Sequence, residues 1–202
     1  MKKMVLALAA ILMALSMSAA FAATPSKTTT DVTRVKEVAA VLEDGTTAAA
    51  DGWDLEITED ADEVTSEIAK IYPHVVTHGN TVISYFPIEV QEALAELFGE
   101  DFDLKTLNMN EFVTLQLVGF EKIANDVKAD FTFTSKYEAD KKTAVVLGLY
   151  NGQRDEKGQY VVEWKVLGAE ATEDGDLSVI FPLDVLAQMN DAAAVSMAVL
   201  SE

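Results

Sequence analysis

The stretch Ala144-Val145-Val146-Leu147-Gly148-Leu149-Tyr150 carries no charged group, and a continuous apolar run of this length is what a strand buried on both faces requires. Asn151-Gly152 follows it and reads as the turn that ends it. On either side the pattern changes to alternation. Upstream, Val113, Leu115 and Leu117 alternate with Thr114 and Gln116, and Val127, Ala129, Phe131 and Phe133 alternate with Lys128, Asp130, Thr132 and Thr134. Downstream, Tyr160, Val162, Trp164 and Val166 alternate with Glu163 and Lys165. After the turn Glu173-Asp174-Gly175, the residues Leu177, Val179 and Phe181 form another strand, which Pro182 stops. Residues 183–189 read as a short crossover helix and residues 195–200 as a last strand. Short strands separated by turn signals predict an antiparallel β-sandwich over residues 110–202. Its expected core is Leu115, Phe131, Phe133, Leu147, Trp164, Val179 and Phe181.

Residues 31–109 read as a smaller α+β region, so the whole chain is expected to be α+β. In residues 32–42 the residues Val32, Val35, Val38, Val41 and Leu42 recur at helical spacing, although their β-branching also suits a strand. Residues 53–57 alternate apolar and acidic residues as a half-buried strand does. Thr58 reads as the cap of a helix with Glu59, Asp60, Asp62 and Glu63 in its first turn, ending before Pro73. Residues 75–86, broken by Gly79-Asn80, read as a hairpin. A second helix follows, with Pro87 at its first position, Gly99 after its end, and Ile88, Val90, Leu94, Leu97 and Phe98 as its core-facing stripe.

At the N-terminus, Lys2-Lys3, an uncharged run to Leu15 and the tripeptide Ala20-Phe21-Ala22 have the three parts of a secretory signal peptide, expected over residues 1–22. Residues 23–30, with Pro25 and three threonines, read as a flexible leader. The expected mature protein is secreted, unanchored and free of a membrane span, since the apolar run is too short to cross a bilayer. The chain holds 15 Lys+Arg and 34 Asp+Glu, a net charge of -19, and removal of Lys2 and Lys3 leaves 13 - 34 = -21. Such a surface repels nucleic acid and favours partners of basic character. No cysteine is present, which excludes a disulfide framework and a lipid-modified cysteine.

The second half, with "VVLGLY", "VEWKVL", "DGDLSVIF" and "AVSMAVLS", resembles the immunoglobulin-like or fibronectin-like sandwich modules that close many small secreted proteins of anaerobic Gram-positive bacteria. The segment "VQEALAELFGEDFDLKTLNMNEFVTL" resembles the helix and loop that lead into them. The resemblance implies a sandwich fold and a secreted bacterial module of a largely uncharacterised group, and implies no functional residue. No cysteine pair brackets Trp164, so the disulfide-bonded antibody subtype does not apply.

Few residues suggest chemistry. His74 and His78, the chain's two histidines, stand four apart, but a zinc site takes three or four protein ligands, and Pro73 and Gly79 bracket the segment. The acidic clusters at residues 59–63, 100–103, 155–156 and 173–176 read as a helix N-terminus and solvated turns; Asp174-Gly175-Asp176 is a fragment of a calcium loop. No thiol and no Gly-x-Ser-x-Gly are present to supply a nucleophile. Trp164 reads as core. Trp53 is the tryptophan better placed for the surface, although core packing is the commoner fate, and Tyr85-Phe86 read as the staple of the helix that follows. No catalytic, cofactor or metal residue is therefore expected. The expectation is a non-enzymatic binding or interaction module for an extracellular or envelope protein or glycan. The alternative is a carbohydrate-binding or carbohydrate-active protein using an Asp/Glu pair, which an exposed aromatic strip through Trp53 and Tyr85 would favour.

Overall fold

The computed structural model describes residues 33–58 and 82–202. The expected signal peptide and leader, the acidic helix after Thr58 and both histidines lie outside the described residues. Eleven regular elements follow one another: β1 (Arg34–Val41), β2 (Thr47–Ala49), β3 (Asp54–Thr58), α1 (Ile88–Phe98), β4 (Asn108–Val118), β5 (Val127–Thr132), β6 (Thr143–Arg154), β7 (Tyr160–Ala171), β8 (Leu177–Phe181), α2 (Leu183–Asp191) and β9 (Ala194–Ser201). The fold is a sheet-rich α+β arrangement. Its strands form one open antiparallel sheet in the order β2-β1-β5-β8-β7-β6-β9-β4-β3, where the sequence predicts two stacked sheets.

A single sheet replaces the sandwich because β1 and β3, from the first part of the chain, join the same ladders as the later strands. Val38 stands opposite Ala129 on β5, and Leu55 opposite Leu117 on β4. The sheet curls until Cα atoms of β1 and β3 come within 8 Å of one another, with no ladder between them. Curling lets one sheet enclose what two sheets would otherwise sandwich. Inside lie Trp53, Leu55, Leu115, Phe131, Phe133, Leu147, Val179, Phe181 and Met197, all buried. Phe131 and Phe133 stack at 5.8 Å, and Phe181 packs 6.2 Å from Phe131. Val185, Leu186 and Met189 of α2 join this inner cluster. Pro182 precedes the helix, and the Leu183 N–H, one of the donors a helix start leaves open, donates to Asp126 Oδ1 at 2.9 Å.

The outer face is covered in part by α1, whose Val90 and Leu94 meet Ala144, Val146, Ala198 and Leu200. Thus β6 and β9 are buried on both faces, which accounts for the apolar run at residues 144–150. Alternate residues of that run serve different clusters: Val145, Leu147 and Leu149 face inward, Ala144 and Val146 outward. Trp164 is half-buried on the outer side, edge-on to Phe86 at 5.6 Å, so of the expected core it alone belongs to the second cluster.

One local expectation left open is decided and three are corrected. Residues 34–41 form strand β1, and the helical spacing of Val35 and Val38 arises from a bulge: the register shifts between Val35 and Glu37, and both valines pack on the inner core. Residues 82–85, the described end of the expected hairpin, form a 3-10 turn that buries Val82 and Ile83. Pro87 is the residue before α1 instead of its first residue, and the Gln91 side chain donates to the Phe86 carbonyl at 2.8 Å. Asn151-Gly152 does not end β6; it produces a break in register between Tyr150 and Arg154, and the hairpin continues beyond it.

Candidate functional site

Of the acidic clusters, residues 173–176 behave least like a solvated turn. The Asp176 side chain is 4% exposed and is held by two lysines, Lys36 at 2.7 Å from β1 and Lys136 at 3.1 Å from the β5–β6 connection. Lys36 also reaches Asp174 at 3.5 Å. The backbone joins in: Thr172 N–H donates to the Asp176 carbonyl at 2.8 Å, Asp176 N–H to Thr172 Oγ1 at 3.1 Å, and Tyr137 N–H to the Gly175 carbonyl at 3.1 Å. The hydrogen bond from Lys36 leads the effects that hold the Asp176 carboxyl below its ordinary range, against the opposing effect of burial. The same bond raises Lys36. The arrangement is a clamp joining three separate segments, and both lysines occupy the oxygens a cation would need.

The clusters at residues 100–103 and 155–156 are turn caps, and residues 59–63 lie outside the described residues. Asp103 Oδ1 accepts the Lys105 N–H at 3.0 Å, and Asp155 Oδ1 accepts the N–H groups of Lys157 and Gln159, each at 2.8 Å. Trp53 is 8% exposed and belongs to the inner core. Its entry into β3 is tight: a Cβ on Gly119, which stands at φ 72°, would collide with the Gly52 carbonyl and lie 3.1 Å from Trp53 Cα. Trp53 lies in the inner core and Phe86 is buried against Trp164, so the exposed strip expected through Trp53 and Tyr85 is not formed. Among the described residues no group of three or more His, Cys, Asp or Glu is placed to share a metal ion, and no helix is long and apolar enough to cross a membrane.

What sequence reading did not single out is a groove of about 590 Å³ on the outer face, beyond the end of α1. Its floor is the outward row of β8 and β7, where Ile180 is 50% exposed and Gly168 leaves space up to Leu97 Cδ1 at 3.4 Å from a would-be Cβ. Leu97, 42% exposed, and Phe98 form one wall. Lys128, Lys141 and Lys142 stand around the rim, against a single acidic lining residue among those described, Glu170. Lys128 leans on Asp130 at 3.4 Å, and the Lys142 N–H donates to the Glu202 carboxylate at 3.2 Å, leaving the Lys142 ammonium for other partners. The Thr143 hydroxyl, on a residue that also lines the groove, is buried without a hydrogen-bond partner among the described residues.

The local sign is thus inverted relative to the chain, where acidic residues outnumber basic ones 34 to 15. The signal was present but scattered: Lys128 looks like the wet side of an alternating strand, and Lys141-Lys142 like a turn. Only the strand order brings β5, β8 and the start of β6 around one depression. A second cavity of about 280 Å³, near Thr58, Gln116 and Asn190, is lined by no ionisable side chain among the described residues. No family model, no curated protein and no solved structure matches the chain.

Proposed function

We propose that the chain is an exported, non-enzymatic binding module of the extracellular space or cell envelope, whose outer groove takes an extended acidic segment of a partner protein. The observation that carries this reading is the lysine rim around an apolar floor, set in an otherwise acidic protein. A segment alternating carboxylates with apolar side chains would place one set on Lys128, Lys141 and Lys142 and the other on Ile180 and Leu97. The basic and apolar parts of residues 1–22, and the resemblance of the second half to secreted modules, support export.

Charge predicts an unusual salt response. The net charge repels an acidic partner at long range, while the rim attracts it at contact, and a Debye length of about 8 Å at physiological salt screens the first more than the second. Binding therefore peaks at intermediate ionic strength. An exposed strip through Trp53 and Tyr85 would have favoured the carbohydrate alternative with its Asp/Glu pair, and Trp53 is part of the core.

Fluorescence anisotropy with labelled Glu-Leu, Gln-Leu and Lys-Leu repeat peptides tests the reading. The Glu-Leu peptide is expected to bind, and the triple change Lys128→Glu, Lys141→Glu, Lys142→Glu to abolish its binding. Equal binding of the Lys-Leu peptide, or an unaffected triple variant, overturns the proposal. Hydrolysis of peptide or glycan substrates that a single Asp or Glu substitution abolishes overturns the non-enzymatic part.

A further inference from the structure

The β6–β7 hairpin carries the chain's one Asn-Gly dipeptide, Asn151-Gly152. Ordered pairing holds Tyr150 opposite Val162 and resumes at Arg154 opposite Tyr160, so residues 151–153 sit in the break and not in the ladder with β7. Asn151 is exposed. Gly152 stands at φ 76°, and a Cβ built on it would meet nothing nearer than the Ala193 Cβ at 3.8 Å, so no side chain crowds the residue that supplies the attacking nitrogen. The Gln153 N–H donates to Asn151 Oδ1 at 2.9 Å, which folds the carboxamide back over its own following peptide. That donor also draws electron density from the carboxamide carbonyl, as donors placed around a developing oxyanion do. Beyond it the tip is braced, with the Arg154 guanidinium 3.8 Å over the Tyr160 ring and donating to the Gly158 carbonyl at 2.9 Å.

We propose that Asn151 is a site of spontaneous succinimide formation in the folded protein, converting to aspartate and isoaspartate. The Gly152 nitrogen, having given its proton to hydroxide, attacks Asn151 Cγ. A bond forms between that nitrogen and Cγ, the bond from Cγ to Nδ2 breaks, and the amide nitrogen takes up a proton and leaves as ammonia. Water then opens the imide at either carbonyl. One opening gives aspartate; the other routes the main chain through the side chain, adding a methylene at the register break. No electron donor or acceptor is required. Either product adds a carboxylate to the tip of the hairpin.

The other described asparagines lack this combination. Asn110 Nδ2 is engaged by Ser201 Oγ and precedes Glu111; Asn108 Nδ2 donates to the Thr106 carbonyl at 3.1 Å and precedes Met109. Asn125 and Asn190 each precede an aspartate, whose side chain crowds the attacking nitrogen and whose charge repels hydroxide. The test incubates the full chain, folded and in denaturant, at neutral and mildly alkaline pH, and follows each asparagine by peptide mapping with mass spectrometry. Residue 151 of the folded chain is expected to convert at least about tenfold faster than 125 or 190, a barrier difference of about 1.4 kcal/mol. Its rate is expected to match or exceed that of the denatured chain and to rise with pH, and Asn151→Gln, whose ring closure is less favourable, is expected to remove the product. An intact Asn151 after the denatured chain has converted, or conversion at 125 and 190 first, overturns the proposal.

Discussion

The two faces of the one sheet are held in different ways. The inner face is closed by the curl of the strands and by α2, and it buries Phe131, Phe133, Phe181, Leu147 and Met197 at 0 to 1% exposure. The outer face is covered by α1 over β6, β7 and β9, and beyond the end of that helix the outward rows of β8 and β7 meet solvent. The inner face is thus closed throughout, while the outer face is buried under α1 and open beyond it, a division that a single sheet achieves when a short helix covers only part of it. Substitution on the two sides should separate stability from binding.

The largest effect is expected at the inner face. Phe131→Ala removes a fully buried ring that stacks on Phe133 and meets Phe181, and the cost should be about 3 to 5 kcal/mol in denaturant unfolding. A loss below about 1 kcal/mol would show that the curled interior repacks freely, contrary to a dense core.

The strands that serve both faces are the next point of failure. Gly148 lies at the centre of β6, where an added Cβ would stand 2.8 Å from Ser196 Oγ, 3.1 Å from the Tyr150 hydroxyl and 3.2 Å from the Trp164 ring. Gly148→Ala should therefore destabilise by about 1 to 3 kcal/mol through overpacking, although alanine alone suits a strand no worse than glycine. Pairing the change with Trp164→Phe, which withdraws the crowding ring, should recover part of the loss; simple additivity would mean that the crowding lies elsewhere.

A smaller, pH-dependent effect is expected where the inner face is fastened at its rim. Asp176→Asn removes the charge that two lysines share, and should cost about 1 to 3 kcal/mol at neutral pH, at the lower end because both lysines are partly exposed and can be hydrated. The sign with pH follows from the shifts. Asp176 titrates lower in the folded state, so its contribution is complete above the unfolded carboxylate range near pH 4 and is lost as pH falls through the folded value. Lys36 titrates higher when folded, so the same interaction is complete below the ordinary lysine range and fades as pH rises through the raised value. In the Asn variant the acid limb of the stability curve should flatten; an unchanged limb would assign acid lability to other carboxylates.

Alternation made β4, β5 and β8 legible, because each has one buried row: Val113 and Leu115, Val127 to Phe133, and Leu177 to Phe181 all fall where the period places them. The uncharged run at residues 144–150 disclosed a central strand because both of its rows are buried. Two things were not local and were not legible. A bulge between Val35 and Glu37 makes a strand imitate helical spacing, and the joining of β1 and β3 to the later strands turns an expected sandwich into one sheet. The groove was hidden for a related cause, since Lys128 and Lys141 are separated by a loop and meet only through the position of β8 and β7 between their strands. Asp176 looked like a turn residue because nothing near it in sequence announces Lys36, 140 positions away.

The smallest effect on stability should coincide with a large effect on binding. Ile180 is half exposed on β8, opposite Lys128 on the neighbouring strand, and its exposed half gains little from folding. Ile180→Thr keeps the β-branching that the strand favours, so the unfolding free energy should move by no more than about 0.5 kcal/mol. The groove floor, however, loses a branched apolar surface and gains a hydroxyl that an incoming apolar side chain would have to desolvate. A Glu-Leu peptide should bind the variant several-fold more weakly, with an unchanged salt dependence, because the lysine rim is intact. A stability loss as large as that of Phe131→Ala would place Ile180 in the load of the fold and dissolve the contrast between the faces. Unaltered peptide affinity would remove the groove floor from the binding surface and leave the rim lysines acting alone.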